Sequence, residues 1–304
     1  MGFRVNQNML NSNMLYNLSK SYRALAKDQE QLSSGRRVNR PSDDPVSAVR
    51  GMTYRHSLND VQQFKTNAQE GKDWMDQTDS SLNEMTQVLQ RVRELTVKGS
   101  NDTNDPESKK AISDEIQQLK EHLGDVANSE IAGRYIFAGT DTKTAPCVTD
   151  NTTNPPTVNY VNSNNQPINW QVGKNNFVQI NTNGTNIFDF TSGTTPNVFG
   201  VLDNIISGLT TGTPSVGDQL GDLDKQLNNV TQQRSELGAR MNRMDLSISR
   251  LDDMEVSTTS LLSSQEDTDI AKVITDLQTK ENVQNAALSV GARIIQQTLV
   301  DFIK

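Results

Sequence analysis

Two amphipathic stretches, one near each end of the chain, constrain the fold more than any other feature. Steps of three and four separate Leu15, Leu18, Tyr22, Leu25, Gln29 and Leu32. This is the spacing of a coiled-coil seam. A helix predicted over residues 268–304 carries a second stripe, formed by Ile270, Ile274, Leu277, Leu288, Gly291, Ile295 and Phe302. Because an amphipathic helix is stabilised mainly by packing its apolar stripe against a partner, the two ends are expected to pair with each other.

Two longer helices are predicted between these ends. The first extends over residues 45–98, about 80 Å at 1.5 Å per residue, with the seam Val61, Phe64, Ala68, Gly71, Met75, Thr78, Leu82, Met85, Leu89 and Val92. The second extends over residues 216–264 with the seam Leu220, Leu223, Leu227, Val230, Arg234, Leu237, Met241, Met244, Ile248 and Leu251. Arg234 interrupts an otherwise apolar row. A shorter helix is predicted to begin at Asp105 and Pro106, since Asp favours the N-cap and Pro the first helical position.

Residues 141–196 have a different character. Asn, Thr, Pro and Gly dominate there, and short runs at 158–161 and 177–180 are typical of strands separated by turns such as Asn183-Gly184. A further strand is predicted at 134–139. The fold expected is mainly α: an elongated antiparallel helical rod, made of coiled-coil termini and a helical bundle, with a small β-rich insert domain. The predicted domains are 1–35 with 268–304, 36–140 with 197–267, and 141–196.

Composition supports thin helical packing and excludes several classes of function. Only 33% of the residues are hydrophobic and 5% aromatic, which does not suit one thick core. The net charge of -8 argues against a nucleic-acid or anionic-membrane partner. The one cysteine cannot form an internal disulfide, and the sequence shows no signal peptide and no 18-residue apolar run. The chain is expected to be cytoplasmic, or exported without a cleaved signal.

The sequence offers no catalytic or cofactor site. Neither of the two histidines, His56 and His122, lies at metal-ligand spacing from the cysteine or from the other histidine. Asp43 and Asp44 form a conspicuous carboxylate pair, but no nucleophile or acid–base partner accompanies them. Nucleotide-binding and hydrolase motifs are absent from the sequence. We therefore predict no catalytic residue, no cofactor and no metal, and an enzyme is the least supported interpretation.

A segment rich in Arg, Asp and Pro separates the first two helices. In residues 33–48 (SSGRRVNRPSDDPVSA) glycine ends one helix, and an aspartate can cap the next while Pro45 occupies its first turn. The arginines can pair with Asp43 and Asp44 or with carbonyl groups at the end of the first helix. One interpretation is a capped turn. The other is a joint between two helical domains that becomes fully ordered only against neighbouring subunits.

These residues carry a resemblance to a known family. Residues 32–39 (LSSGRRVN) and 41–45 (PSDDP) resemble the N-terminal signature of bacterial flagellins, and 89–95 (LQRVREL) and 238–243 (GARMNR) are similar to later flagellin motifs. Residues 3–9 (FRVNQNM), the Tyr54-Arg55 pair and 134–142 (RYIFAGTDT) resemble the hook-associated protein 3 branch of that superfamily. The chain's last residues, VDFIK, differ from the Leu-Leu-Arg type typical of filament flagellins.

The resemblance implies a structural protein of the flagellum. Such a protein forms a ring of identical subunits between hook-associated protein 1 and the flagellin filament, is exported with a flagellar export chaperone through the flagellar type III apparatus, and is extracellular without a cleaved signal peptide. The residues expected to carry assembly are Leu18, Leu25, Leu32, Arg36, Asn39, Asp43, Asp44, Pro45, Gln90, Arg91, Arg93, Arg240, Asn242, Arg243, Leu288, Gly291, Ile295 and Phe302.

Two alternatives and two structural hypotheses accompany this interpretation. A filament flagellin is the nearest rival, and a generic coiled-coil adhesin or signalling rod is a more distant one. The first hypothesis holds that residues 1–35 and 268–304 are loosely held in the free monomer and lock together on assembly. The second assigns Gly291 and Ala292 to a close crossing with the N-terminal helix. Its alternative is a glycine merely tolerated within a helix, at about 1 kcal/mol relative to Ala.

Overall fold

The fold is mainly α, as the periodicity predicts. The computed structural model describes residues 7–101, 104–150, 156–191, 193 and 195–300, and only the backbone of residues 7, 8, 10 and 293–300. The helices in these ranges are α1 (Gln7–Ser34), α2 (Pro45–Gly99), α3 (Pro106–Ala127), α4 (Thr185–Phe188), α5 (Val198–Thr211), α6 (Val216–Glu266) and α7 (Ile270–Val300). The strands are β1 (Glu130–Ile131), β2 (Arg134–Tyr135), β3 (Cys147–Asp150), β4 (Thr157–Tyr160), β5 (Asn169–Gly173) and β6 (Asn176–Gln179).

Local sequence signals account for most helix ends. Gly35, with a φ of 68°, follows α1 in the left-handed conformation that glycine adopts readily. Oδ1 of Asp44 accepts hydrogen bonds from the backbone N–H groups of Val46 and Ser47 at the start of α2, so the predicted cap is confirmed. Asp105 occupies the N-cap of α3, with Pro106 as the first helical residue.

The chain divides into two compact units. We call Met1–Asp60 with Met254–Lys304 the terminal unit, and Val61–Asp253 the central unit. This division differs from the three domains expected from the sequence, whose bounds remain a prediction. No described helix is long and apolar enough to cross a membrane.

The central unit contains nearly all of the buried apolar surface. Its core draws on the α2 and α6 seams together with α3 and α5, and fully buried members include Met75, Leu82 and Leu89 of α2. Gly99 lies against Leu209 of α5, where a Cβ atom would approach the leucine Cδ2 atom to 2.5 Å. With Ile187 and Phe188 of α4, five helices contribute to one continuous core, which suits the narrow apolar stripes of the sequence.

The β-rich segment packs on the helices of the central unit. Its two antiparallel pairs are β3–β4 and β5–β6, and β1 pairs with β2 just before it. Nδ2 of Asn67 on α2 donates to the carbonyl of Gln171 on β5, and a Cβ atom on Gly71 would lie 3.1 Å from Ile180. Phe188 is stacked on Tyr160 and Phe199, with ring centroids 5.6 and 6.3 Å away. The segment therefore shares the helical core instead of enclosing its own.

One local prediction in this region needs correction. Only Arg134 and Tyr135 of the predicted 134–139 strand form β2, while Ile136 and Phe137 are buried in the core. Burial of these apolar residues outweighs the local strand preference. The predicted turn at Asn183-Gly184 is present: the N–H of Asn186 donates to the carbonyl of Asn183, and Gly184 is the N-cap of α4.

Candidate assembly site

The segments that follow α1 and precede α7 are joined by backbone hydrogen bonds. The N–H of Arg37 donates to the carbonyl of Glu266 at 2.6 Å, and the N–H of Thr268 donates to the carbonyl of Gly35 at 3.1 Å. Arg36 and Asp267 form an antiparallel bridge between these bonds. We call residues 35–44 with 265–269 the joint. It holds the end of α1 beside the start of α7 within the terminal unit.

Arginine side chains strengthen the joint. The Arg37 guanidinium donates to Oγ of Ser47 at 3.1 Å and to the carbonyl of Gln265 at 3.0 Å. Arg55 of α2 forms an ion pair with the Glu266 carboxylate. A Cβ atom on Gly51 would lie 2.5 Å from Oε1 of Glu266, so glycine leaves room for that carboxylate. α2 is thereby tied to the end of α6.

The two aspartates of the joint have different partners. Asp43 forms an ion pair with Lys27 of α1 at 3.2 Å, whereas Asp44 caps α2. Hydrogen bonds from Ser47 lower the pKa of the Asp44 carboxyl. Partial burial acts to raise the pKa of Asp43, but the hydrogen bonds from Lys27 and from the Arg40 backbone, with the nearby positive charges, outweigh it and the pKa falls. Both carboxyls are therefore stabilised in their ionised form.

Of the two kinds of partner that the sequence allows for the arginines of the joint, the aspartates form no ion pair with an arginine among the described contacts. Among the described ion pairs, the Arg40 guanidinium lies 3.3 Å from Glu30, and only its backbone N–H contacts Asp43. Lys27, which the sequence analysis did not select, takes the place beside Asp43. The physical reason is reach: Lys27 lies two turns before the end of α1, and its flexible side chain spans the bend to the joint.

α1 and α7 pair through polar groups as well as apolar ones. Lys280 of α7 donates to both carboxylate oxygens of Asp28 on α1, at 2.7 and 2.9 Å. Oγ of Ser21 donates to Oε1 of Gln284 at 3.4 Å. A Cβ atom on Gly291 would lie 1.7 Å from Cε of Met14, so the Met14 side chain packs directly on this glycine. A close crossing of the two helices at this position remains a prediction.

The terminal unit leaves most of its described apolar side chains exposed. Val273, at 8% exposure, is its one buried hydrophobic side chain among the described residues. Its exposed large hydrophobic residues are Met9, Leu15, Tyr16, Tyr22, Val46, Val49, Met52, Met254, Val256, Leu261, Ile270, Ile274, Val283, Leu288 and Val290. A groove of 560 Å³ between α1 and α7 is lined by residues that include Met14, Leu18, Val283 and Val290. Exposed apolar surface of this extent is typical of a site that binds another protein.

The arginines expected in the central unit make contacts within the chain. Arg91 donates to Glu115 of α3 at 2.7 and 2.9 Å, and Arg93 donates to Asp224 of α6 at 2.7 Å. These contacts raise the pKa of both guanidinium groups, chiefly through the hydrogen bonds to the carboxylates. Arg240 and Arg243 bond to the carbonyls of Asn181 and Phe177, which attaches the β-rich segment to α6.

The structure thus brings some expected site residues together and separates others by unit. Leu18 and Gly291 line the α1–α7 groove, and Leu25 and Leu32 are half-buried on α1. Arg36 and Asn39 lie in the joint with Asp43, Asp44 and Pro45, and Leu288 is exposed on α7. Gln90 and Asn242 are exposed in the central unit. For Ile295 only the helical backbone is described, and Phe302 lies outside the described residues. Whether any of them contacts another subunit remains a prediction.

The polar pair that joins the terminal helices does not follow from the apolar pattern. Asp28 lies three residues after Leu25 and four before Leu32, so it shares the face of α1 that carries these two leucines. Lys280 lies three residues after Leu277 on α7. Helical spacing applied to charged as well as apolar residues would have indicated both. No group of three or more metal-ligating side chains occurs among the described residues.

Comparison with known proteins agrees with this architecture. Residues 5–142 match the bacterial flagellin N-terminal helical region, and residues 220–303 match the bacterial flagellin C-terminal helical region. Flagellin of Bacillus subtilis is 28% identical over 301 residues, which cover 93% of both chains. Flagellar hook-associated protein 3 of Escherichia coli is 28% identical over 291 residues, which cover 88% of this chain and 89% of that protein.

A solved structure shares the fold. The flagellar junction protein FlgL from Legionella pneumophila superposes with a TM-score of 0.59 at 16% identity, covering 72% of this chain and all of that one. These similarities define a helical structural protein of the bacterial flagellum. The chain belongs to the bacterial flagellin family. Structural proteins of this family are non-enzymatic, and neither the sequence matches nor the structural matches indicate a catalytic activity.

Proposed function

We propose that this protein is a hook-associated protein 3, the junction protein between the hook and the filament of the bacterial flagellum. Identical subunits form a ring with hook-associated protein 1 on the hook side and flagellin on the filament side. The assembly role is supported chiefly by the terminal unit. There the joint holds the end of α1 beside the start of α7, while most apolar side chains of the two helices remain exposed.

Assembly would bury apolar side chains that the terminal unit leaves exposed. An exposed apolar surface is unfavourable in water by about 25 cal/mol per Å², and the described terminal unit buries a single hydrophobic side chain of its own. Neighbouring copies that cover the α1–α7 groove supply the missing burial. We infer that residues 1–35 and 268–304 are loosely held in the free monomer and become fixed in the assembled ring.

The choice of the junction over the filament rests on sequence. The E. coli hook-associated protein 3 aligns along most of the chain, and residues 134–142 (RYIFAGTDT) resemble that branch. The B. subtilis flagellin aligns with the same identity. A filament flagellin is therefore the alternative function, and the two differ in where the protein lies along the flagellum.

Export follows from the same proposal. The protein leaves the cell unfolded through the flagellar type III apparatus, assisted by a flagellar export chaperone, and no signal peptide is cleaved. A single cysteine supports this route, because no internal disulfide has to form or break. The mature protein is then extracellular, as part of the flagellum.

Electron microscopy of flagella from a deletion strain tests the junction role. We expect intact hooks without filaments, with flagellin monomers released into the medium, and filaments restored when the gene is returned. A strain that lacks the filament flagellin gene is the matched control, since it also has bare hooks but releases no flagellin. Normal hooks and filaments in the deletion strain would contradict the junction role and favour the filament alternative.

Labelling the protein within the flagellum distinguishes a junction protein from a filament flagellin. An epitope inserted beside Asn162, in the exposed loop between β4 and β5, allows gold-conjugated antibody to mark its position. The junction proposal expects gold at a single band where hook meets filament. Gold along the whole filament would identify a filament flagellin instead.

A further inference from the structure

Arg234 occupies the one charged position of the α6 seam. Its guanidinium faces α2, where Nε lies 3.0 Å from Oδ1 of Asp79 and Nη2 lies 3.2 Å from Oδ2. The third nitrogen, Nη1, donates to Oδ1 of Asn83 at 3.1 Å. All three residues belong to the central unit. A two-bond fork of this kind fixes direction as well as distance between the two helices.

The α2 seam also has a polar residue close to Asp79. Thr78, next to Asp79, is a fully buried seam residue whose hydroxyl donates to the carbonyl of Trp74 at 2.8 Å. The polar position of the α2 seam thus comes directly before the aspartate that Arg234 contacts. A shift of one helix along the other separates Arg234 from Asp79 and Asn83, so these polar groups lose their partners.

Apolar contacts alone do not exclude such a shift. Both seams repeat every seven residues, so moving α6 by seven residues again places apolar side chains against apolar side chains. Two ion pairs share this repeat: Lys65 with Asp252 at 2.7 Å, and Lys72 with Asp245. Lys72 comes seven residues after Lys65, and Asp245 comes seven before Asp252. One lysine–aspartate contact would therefore survive a shift in either direction.

In the Asp79–Arg234 pair the anion is on α2 and the cation on α6, the reverse of the two lysine–aspartate pairs. At the other α2–α6 ion pairs described in the central unit, Lys65 with Asp252, Lys72 with Asp245 and Arg93 with Asp224, α2 carries the cation and α6 the anion. A seven-residue shift one way moves Arg234 from Asp79 towards the like charge of Lys72. A shift the other way moves it towards Thr86, which has no charge. Either shift breaks the fork.

We propose that Arg234 determines the register in which α2 and α6 pair when the chain folds. The apolar seams supply affinity between the helices, and the reversed ion pair rejects the shifted alignments that the seams would accept. A polar residue in a coiled-coil seam specifies register in this way, at some cost in stability. Here the Arg234 side chain is 30% exposed and that of Asp79 37%. This role is independent of where the protein lies in the flagellum.

Distance measurement between two spin labels tests the proposal. The labels are placed at Gln87→Cys on α2 and Ser235→Cys on α6, both exposed positions, with the only native cysteine replaced by Cys147→Ala. A seven-residue shift displaces one label by about 10 Å along the helix axis. The full chain is unfolded in guanidinium chloride and refolded, and pulsed electron spin resonance then records the distance distribution.

The decisive variant replaces the fork with apolar residues, Asp79→Leu with Arg234→Leu. We expect the parent chain to give one distance and this variant to give two, the second displaced by about 10 Å. The matched control is Arg234→Lys, which keeps a cation beside Asp79 and should give one distance. A single distance in the apolar variant would overturn the proposal.

A second comparison decides the matter if the apolar variant does not refold. Arg234→Asp alone places two aspartates together in the native register, so a second distance is expected. Arg234→Lys, which keeps the positive charge, should give one distance. If Arg234→Asp keeps one distance, Arg234 does not set the register.

Discussion

Lys280 on α7 reaches across to Asp28 on α1 and places its Nζ atom 2.7 Å from Oδ2 and 2.9 Å from Oδ1 of a carboxylate that is 8% exposed. This ion pair joins segments that lie 252 residues apart in the chain. Together with the joint, it gives the terminal helices a defined pairing even though they bury little apolar surface. Polar contacts determine how α1 pairs with α7. We propose that apolar contacts with other subunits then stabilise the pair in the assembled flagellum.

Lys280→Met should destabilise the α1–α7 pair by about 2 kcal/mol, because it leaves the Asp28 carboxylate buried without its charged partner. Hydrogen exchange of the α7 amides measures the change, with Lys280→Arg expected to retain most of the protection. Lys272→Met is the control for loss of a lysine elsewhere on α7, where the side chain is exposed. Equal exchange rates in Lys280→Met and Lys272→Met would show that the pair contributes nothing.

Arg37→Met should loosen the joint by about 1 kcal/mol for each hydrogen bond removed, those to Ser47 and Gln265. The measurement is limited proteolysis of the monomer, followed by identification of the first cleavage site. We expect cleavage within 35–44 or 265–269 at a lower protease concentration than in the parent chain. Arg36→Met is the comparison, because among described contacts Arg36 joins Asp267 and Ser34 through its backbone. If both variants are cleaved alike, the Arg37 side chain is not what holds the joint.

Gly291→Leu should weaken the pairing of α1 with α7 by about 1–3 kcal/mol, since any side chain here meets Met14. Met14 is long and flexible, so Gly291→Ala should cost much less. Combining Gly291→Leu with Met14→Ala frees space and should recover part of the lost hydrogen-exchange protection. Full protection in Gly291→Leu alone would mean that the glycine is merely tolerated and that the crossing does not depend on it.

Asp44→Asn should remove a pH-dependent part of the stability of α2. The folded pKa of Asp44 lies below its ordinary value of 3.8, so the carboxylate stabilises the folded state above that value and loses this contribution as pH falls through the folded pKa. Asn also caps helices well, so the variant differs mainly in charge. Unfolding in urea at several pH values should show a parent chain more stable at neutral pH, with the difference vanishing as pH falls below 3.8 and through the lower folded pKa. A difference that is constant with pH would exclude the charge as its cause.

Cys147 should react slowly with alkylating agents while the protein is folded. Burial of its thiol, with the nearby Asp125 carboxylate, raises the pKa to about 12, and the thiolate is the reactive form. Iodoacetamide should modify it much faster in urea than in buffer. Gly124→Val tests the packing beside it, because a side chain here meets Val158 at 2.8 Å and lies 3.7 Å from Sγ of Cys147. Unchanged reactivity in that variant would indicate that the β-rich segment is not held closely against α3.

Helix boundaries could be predicted because their causes are local. Gly35, Asp44 and Pro45 each act through the backbone of neighbouring residues, so the end of α1 and the start of α2 were predictable from the sequence. The ion pairs were less predictable. A single sequence specifies that charges lie near one another along the chain, but Lys27 and not an arginine meets Asp43, because the path of the chain through the joint decides which side chain reaches it.

The β-rich segment shows the same limit. Its strands at 157–160 and 176–179 agree closely with the predicted runs, since alternating and β-branched residues indicate a strand locally. Its packing on α2, α3 and α6 depends on contacts such as Arg240 with Asn181, which join residues 59 positions apart. No local pattern in the segment specifies that partner.

The sequence by itself determined that this chain forms long amphipathic helices at both ends and where those helices stop. It also determined that the chain belongs with flagellar structural proteins. Periodicity, caps and motifs are properties of neighbouring residues, so they can be read without the fold. The tertiary structure decided which polar groups are buried in pairs. Lys120, at 1% exposure, is paired with Asp203 of α5, and Asp28 is paired with Lys280. Burial of a charge depends on what surrounds it in three dimensions, and only the folded chain brings those distant residues together.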